Sequence, residues 1–444
     1  MVLDVLTSQA DVVVVSPFAN NPEFIKHYEG PHIQHVMGPT GKSISRIARK
    51  MVVVSSILRM QGYWFRCRHK IPYYWANRHN QFGENGNDRR LGLPYRIILD
   101  FLSWIGYWHR AWKLFDLLHG RWSYRFPELK ELTEHYRRVI LIQASSWGFQ
   151  DAAMAYLGRK LKWRTVMLPY TSDQLFCNGY LYSNFDVVCV QGEAEQRFAK
   201  IFHEIPDTRI AKLGSLNFIS MREVLGYKSS VVPQKEETAK ASRILFAGGI
   251  ATYFPTESEF QCLEYLLTAI DSGNLTNVSI TYRPIGHNPD IRAIIQQRFA
   301  NRKHLTIEFA SPAVYGLDTY IDCKWEQIIA DHIEKIGGFD LMVMAGGTTL
   351  ALDVAVFGTA SISYFGDSSG VLKKRQISLQ LNDGSSIVFE SIPAVTEIPK
   401  LLRLIKDLLN DRKSRKDIVE KTLLEWDNQD PGIMERLERA VFSM

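Results

Sequence analysis

Several short stretches of this sequence carry residues whose types and spacing suit the handling of phosphate. The most informative is FDLMVMAGGTTLALDVAVFGTASISYFGD, from Phe339 to Asp367. A buried strand is expected over Leu341 to Met344. It runs into Gly346-Gly347, then Thr348-Thr349, then an apolar helix bearing one acid, Asp353. Glycines at the top of a strand let backbone N–H groups approach a ligand closely. Thr348 and Thr349 can cap the helix that follows, and a helix amino terminus carries partial positive charge suited to phosphate. A carboxylate one turn further in can accept from two ribose hydroxyls while the glycine turn holds a pyrophosphate. The competing reading is a tight turn, with Asp353 as a solvated or capping acid.

A second stretch, ITYRPIGHNPD (280–290), ends a strand in Arg283-Pro284 with His287 close behind. Arginine offers a bidentate fork to phosphate and histidine can donate to the same group, although an ordinary strand-end turn would also look like this. In LPYTSDQLFCNGYLYSNFDVVCVQGE (168–193), Asp173 closes a buried strand, where a carboxylate can take a proton from an acceptor hydroxyl or merely form an Asx turn. HVMGPTGKSISRIARK (35–50) invites a P-loop reading. That loop needs a glycine five residues before Gly41, where Val36 stands, so the ATPase is excluded. What remains is a glycine turn into a helix, with Lys42 and Ser43 suited to an anionic acceptor.

The elements that position these residues alternate. RVILIQ, RTVMLPY, FDVVCVQG and RIAKLGS are strand-like runs separated by helical patterns such as DAAMAYLGRKL and AEQRFAKIF. The alternation breaks over 217–242, which holds a proline and a charged tract, and resumes at Arg243 with RILFAGG, NVSITYRP, LTIEFAS, FDLMVMAGG and ASISYFG. Short β-rich runs alternating with helices predict parallel sheets covered on both faces. The expected organisation is an α/β protein of two doubly wound Rossmann-like domains facing each other across a cleft. Residues 1–216 form the first, 217–242 a linker, 243–420 the second, and 421–444 a carboxyl-terminal helix after a Pro-Gly break. Ligands bind such sheets beyond the carboxyl ends of their strands, which adds the Gly248-Gly249 turn to the candidate site.

Composition sets the outer bounds. The 444 residues are too many for one ordinary core, and 46% apolar with 23% charged content argues for a folded chain. A net charge of +6 favours anionic ligands or a membrane surface. Cys67, Cys177, Cys189, Cys262 and Cys323 lack metal-binding spacing and read as reduced thiols. No apolar run is long enough to span a membrane, and MVLDVLTSQAD lacks signal-peptide regions, so a cytoplasmic location is expected.

The charge is uneven. From Lys42 to Arg125, sixteen Lys and Arg stand against four acids, and six of the ten tryptophans share the window. Residues 93–122 place apolar side chains at helical spacing, with Trp104, Trp108 and Trp112 on one stripe. Either the stripe packs inside the amino-terminal domain, as such stripes more often do, or it contacts the inner face of the cell membrane. No nucleic-acid-binding signature accompanies the charge.

The order strand, Gly-Gly-Thr-Thr, acid-bearing helix, Gly358, strand resembles the donor segment of GT-B glycosyltransferases of bacterial surface-polysaccharide synthesis. It is similar as well to the related sugar-nucleotide epimerases and polyol-phosphate transferases. Where that group usually has glutamate and proline, this chain has Asp353 and Thr359. Arg283-Pro284 and His287 resemble an Arg-Pro-His-Pro segment with two residues inserted, and the Asp173 loop matches at Asp173, Leu175 and Gly179 with Gln174 in place of asparagine. The resemblance covers about residues 135–410. It implies transfer of a sugar from a nucleotide donor to a glycan or lipid-linked acceptor of capsule or O-antigen type, without cofactor or obligatory metal. Gly248, Gly249, Arg283, His287, Gly346, Gly347, Thr348, Thr349 and Asp353 would bind the donor, Lys42 and Ser43 the acceptor, and Asp173 would be the base. Alternatives are a polyol-phosphate transferase, a sugar-nucleotide 2-epimerase, or an inactive scaffold of a glycan-synthesis complex.

Overall fold

The structure is a computed structural model. It describes residues 2–16, 19–37, 57–68, 80–81, 89–90, 92–107, 131, 134–144, 149–169, 175, 181, 185–216, 221, 241–249, 256–284, 289–309, 325–366, 390–426 and 432–443. Nearly all of the expected linker, 217–242, lies outside them.

The chain starts with α1 (Val2–Thr7), β1 (Val12–Ser16), α2 (Pro22–His27) and β2 (Ile33–Met37). Asn21 caps α2 by accepting from the N–H groups of Glu23 and Phe24, with Pro22 in the first turn. β1 and β2 pair in parallel, Val12 opposite Ile33. A helical segment 57–66, the antiparallel pair β3 (Asn80–Gln81) and β4 (Arg89–Arg90), and α3 (Leu93–Tyr107) follow. Then β5 (Ile140–Gln143), α4 (Phe149–Lys160), β6 (Arg164–Met167), β7 (Val187–Val190), α5 (Glu193–His203) and β8 (Ile210–Lys212) build a four-stranded parallel sheet in chain order.

Among the described residues this half holds two parallel sheets. β1 pairs with β2 and β5 with β6, and the remaining edges of β1 and β5 line a cavity of about 830 Å³ together with Leu3, Leu6 and Phe442. The strand over Val12–Ser16 also lies ahead of the alternation read from the sequence, which starts near 138.

The second half is one six-stranded sheet in which every neighbouring pair is parallel. In chain order it comprises β9 (Ser242–Ala247), α6 (Thr256–Asp271), β10 (Val278–Arg283), α7 (Pro289–Phe299), β11 (Leu305–Ile307), α8 (Trp325–Ile336), β12 (Leu341–Ala345), α9 (Leu350–Val356), β13 (Ala360–Tyr364) and β14 (Ala394–Val395). The spatial order is β11-β10-β9-β12-β13-β14, which is Rossmann-like, and it reverses between β9 and β12. β12 and β13 are buried at every position, as strands covered on both faces must be, and this explains their unbroken apolar reading. β10 alternates, turning Val278, Ile280 and Tyr282 into the core.

Three helices close the chain: α10 (Ile398–Asn410), α11 (Arg412–Trp426) and α12 (Ile433–Phe442). α10 buries Leu401, Leu402, Ile405 and Leu408 along one stripe. The buried Arg415 of α11 donates to the carbonyls of Leu408 and Leu409, satisfying orphan acceptors at the α10 carboxyl end. α12 returns to the four-stranded sheet. Its Leu437, Ala440 and Val441 pack with Val166, Cys189 and Leu213, and Arg436 donates twice to the Leu213 carbonyl. Arg164 and Arg138 in turn donate to the carbonyls of Ala440 and Phe442 at its carboxyl end.

A second contact joins the halves. Arg197 of α5 pairs with Glu390 at 2.7 Å and Glu425 at 2.9 Å. Beneath it Gly192 meets the end of α11 so closely that a Cβ there would lie 2.4 Å from the Glu425 carbonyl oxygen.

Trp104, the member of the tryptophan stripe that lies among the described residues, is half exposed while Leu102, Ser103 and Ile105 face inwards; Trp108 and Trp112 lie outside the described residues. The helix is apolar on nearly every face, so its spacing could not say which face would be covered.

Candidate functional site

Three adjacent strands, β10, β9 and β12, end at the same edge of the second sheet. The turns leaving them carry Arg283, Gly248-Gly249 and Gly346-Gly347. The register places Arg283 opposite Ala247, and Ala247 opposite Met344. The Gly248 N–H donates to the Arg283 carbonyl at 2.9 Å, and the Gly346 N–H to the Tyr364 carbonyl at 2.7 Å. Where strand order reverses, as it does here between β9 and β12, α/β sheets bind ligands beyond this edge. Six of the residues read from the sequence as donor-binding are therefore brought to one edge: Gly248, Gly249, Arg283, Gly346, Gly347 and Thr348. Thr349 follows immediately before α9, and Asp353 lies on it.

Gly346 has φ +80°, a left-handed backbone that a side chain would strain, so the turn requires glycine here. Gly347 and Thr349 are exposed beyond it. The capping expectation is half met. Thr348 Oγ1 accepts from the Leu350 N–H at 3.3 Å, but Thr349 forms no side-chain cap bond. Its φ −63° and ψ −15° are already helical, whereas a capping residue needs extended backbone.

Arg283 Nη1 is buried and has no hydrogen-bond partner among the described residues. A buried charged donor without a partner is costly, so an anion at this strand end would relieve a debt already present in the unliganded fold. Asp353 is 25% exposed, and its Oδ2 lies 3.1 Å from Nε2 of His332 on α8. The histidine holds one carboxylate oxygen and fixes the orientation of the group.

Glu259, in the first turn of α6, is a residue that sequence reasoning missed. It is buried, accepts from the Gly249 N–H at 2.8 Å through Oε2, and accepts from the Tyr282 hydroxyl through Oε1. It thus ties the Gly248-Gly249 turn to the last residues of β10, next to Arg283. Burial raises its pKa to about 7, against the opposing pull of the two donors. Burial and the neighbouring carboxylate push the Tyr282 hydroxyl above its ordinary value. The signal was available in part: Tyr282 falls on the inward register of an alternating strand, where its hydroxyl must find a partner. A parallel exists in the first half, where Glu195 accepts from the Gln191 N–H at the end of β7.

His287, Asp173, Lys42 and Ser43 lie outside the described residues. Among the described residues no three His, Cys, Asp or Glu side chains gather as metal ligands.

No protein-family model matches the chain, and no curated protein matches its sequence. Solved structures that align with it include the UDP co-structure of S. aureus MnaA, at 9% identity over 70% of this chain and 75% of that one, with a TM-score of 0.41. The lipopolysaccharide outer core galactosyltransferase WaaB in its apo form aligns at 11% identity over 74% and 80%, TM-score 0.38. MurG of Acinetobacter baumannii aligns at 15% identity over 80% and 82%, TM-score 0.37. Likenesses this low assign no activity; the α/β organisation rests on the strand order and register described above.

Proposed function

We propose that the chain is a glycosyltransferase that moves a sugar from a nucleotide-activated donor to a glycan or lipid-linked acceptor. The observation that carries this reading is the buried Arg283 Nη1, without a hydrogen-bond partner among the described residues, on the same strand-end edge as the glycine turns after β9 and β12. In this reading the Gly346–Thr349 turn receives the donor diphosphate, Arg283 and His287 neutralise it, and Asp353 accepts from the ribose hydroxyls. The motif resemblance given above supports the same roles and adds a bacterial surface polysaccharide as product, made at the cytoplasmic side of the membrane.

The chemistry proposed is displacement at the anomeric carbon. The acceptor hydroxyl oxygen forms the new bond, the bond to the diphosphate breaks, and the departing diphosphate keeps the electron pair. Asp173 takes the hydroxyl proton, and Lys42 and Ser43 hold the acceptor. Fixed donors aimed at the leaving diphosphate stabilise its growing charge without a metal.

The test is a thermal-shift screen against UDP, GDP, CDP, ADP and CMP, with and without EDTA. A ligand that binds only the native state raises the melting temperature with its concentration. One nucleotide should do so in EDTA, and Gly347→Trp should abolish the shift. If none of the five shifts the protein, the donor site does not exist.

A further inference from the structure

We propose that α3 is a membrane-surface helix whose outward face seats in the headgroup layer of an anionic bilayer. Leu93, Ile97, Ile98, Phe101, Trp104 and Tyr107 are all exposed, Ile97 at 60%, Phe101 at 58% and Trp104 at 51%. Ile97, Phe101 and Trp104 recur at four- and three-residue spacing and so share a face, and the Phe101 and Trp104 rings stack with centroids 6.3 Å apart. A contiguous apolar patch of this kind on a folded chain marks an interaction surface.

The outward presentation is built into the fold. On the opposite side Ser103 Oγ donates to Gln61 Oε1 at 2.9 Å, within the helical segment 57–66. Leu102 and Ile105 pack against the main core. The helix is therefore clamped to the body by one side and cannot roll its apolar face inwards without breaking these contacts.

Charge decides which partner the face fits. In the sequence, the window from Lys42 to Arg125 that contains α3 carries sixteen basic residues against four acids, and α3 contributes one of each, Arg96 and Asp100. Two copies of so basic a region repel each other, whereas an anionic lipid surface attracts it. The mixture of Trp and Tyr with Ile, Leu and Phe suits the boundary between headgroups and acyl chains, where amphipathic rings are half wet. At 15 residues α3 is short, and among the described residues no helix is long and apolar enough to cross a bilayer, so the helix lies in the interface plane.

The test is co-sedimentation of the full chain with vesicles of phosphatidylcholine alone or mixed with phosphatidylglycerol, at low and high salt. Wild-type protein should bind the anionic vesicles, less at high salt, and Phe101→Glu/Trp104→Glu should bind at least about tenfold less. Nucleotide-induced thermal shifts of the same variant should be unchanged, which separates this surface from the donor site. A milder variant, Ile97→Ser, should bind less as well, and guards against a folding defect in the double variant. Lipids brominated near the headgroup should quench wild-type fluorescence more than that of Trp104→Phe, which keeps the apolar face. Absence of vesicle binding, equal binding to neutral and anionic vesicles, or full binding by both the double variant and Ile97→Ser overturns the proposal. So does a wild-type dimer that the double variant converts to monomer without any vesicle binding, since that makes the face a self-association surface.

Discussion

His332 Nε2 lies 3.1 Å from Asp353 Oδ2, linking α8 to α9 beside the Gly346–Thr349 turn. Both side chains are partly exposed, at 29% and 25%, so the contact contributes little to stability. Its value is orientation of the carboxylate. Asp353→Ala should cost under about 1 kcal/mol in urea unfolding. It should weaken binding of a ribonucleoside diphosphate by roughly tenfold or more, since hydrogen bonds to a charged group contribute about 1.5–3 kcal/mol. The decisive comparison is with the 2′-deoxynucleotide. Wild-type protein should prefer the ribonucleotide and the variant should not; equal preference in both removes Asp353 from the ribose.

Arg283 gives the opposite pattern of stability and binding. Its Nη1 is buried and unpartnered among the described residues, so replacing it removes a penalty from the unliganded fold. Arg283→Met, similar in length but without donors, should leave the melting temperature unchanged or raise it, with an effect of about 1 kcal/mol. The nucleotide-induced shift should disappear. A variant that unfolds easily yet still responds fully to nucleotide would show that Arg283 is a structural residue only.

Glu259 makes stability depend on pH. Its pKa is raised to about 7 in the folded chain and is near the ordinary glutamate value when unfolded. The folded state therefore holds a proton that the unfolded state has released between about pH 4.5 and 7, and stability falls as pH rises through that window. The loss is on the order of 3 kcal/mol by the linkage relation. Glu259→Gln, which cannot ionise, should flatten the curve across this range. Urea midpoints measured from pH 5 to pH 8 for both proteins check this, and parallel curves would refute it.

Gly192 sits where α5 meets the end of α11. A Cβ there would stand 2.4 Å from the Glu425 carbonyl oxygen and 2.7 Å from the Trp426 carbonyl carbon, both backbone atoms that cannot swing aside. Its backbone is extended, so the obstacle is space and not conformation. Gly192→Ala should destabilise the chain by about 1–3 kcal/mol, the usual range for overpacking. Because Arg197 bridges to Glu390 and Glu425 at the same junction, the loss should appear as easier separation of the halves in limited proteolysis. A wild-type melting temperature and digestion pattern would contradict it.

The amino-acid sequence by itself determined the alternation of strands and helices from Arg243 onward and the glycine turns at their ends. Both are local properties: β12 and β13 read as apolar runs because both their faces are covered, and Gly346 stands where the backbone must turn left-handed. The same local logic marks Arg283, Gly248-Gly249 and Gly346 as strand-end residues. Only the tertiary structure decided that these turns are neighbours, because the order β10-β9-β12 follows from sheet pairing and not from chain order. It likewise decided the partners of the two acids: Glu259 reaches Tyr282 across 23 residues, and Asp353 reaches His332 across 21. No local pattern encodes such pairs, since each depends on which helix packs over which strand. The division between β1 and β5 and the outward face of α3 belong to the same category. A periodic apolar helix must bury one side, but which side, and against what, is settled by the shape of the body it meets.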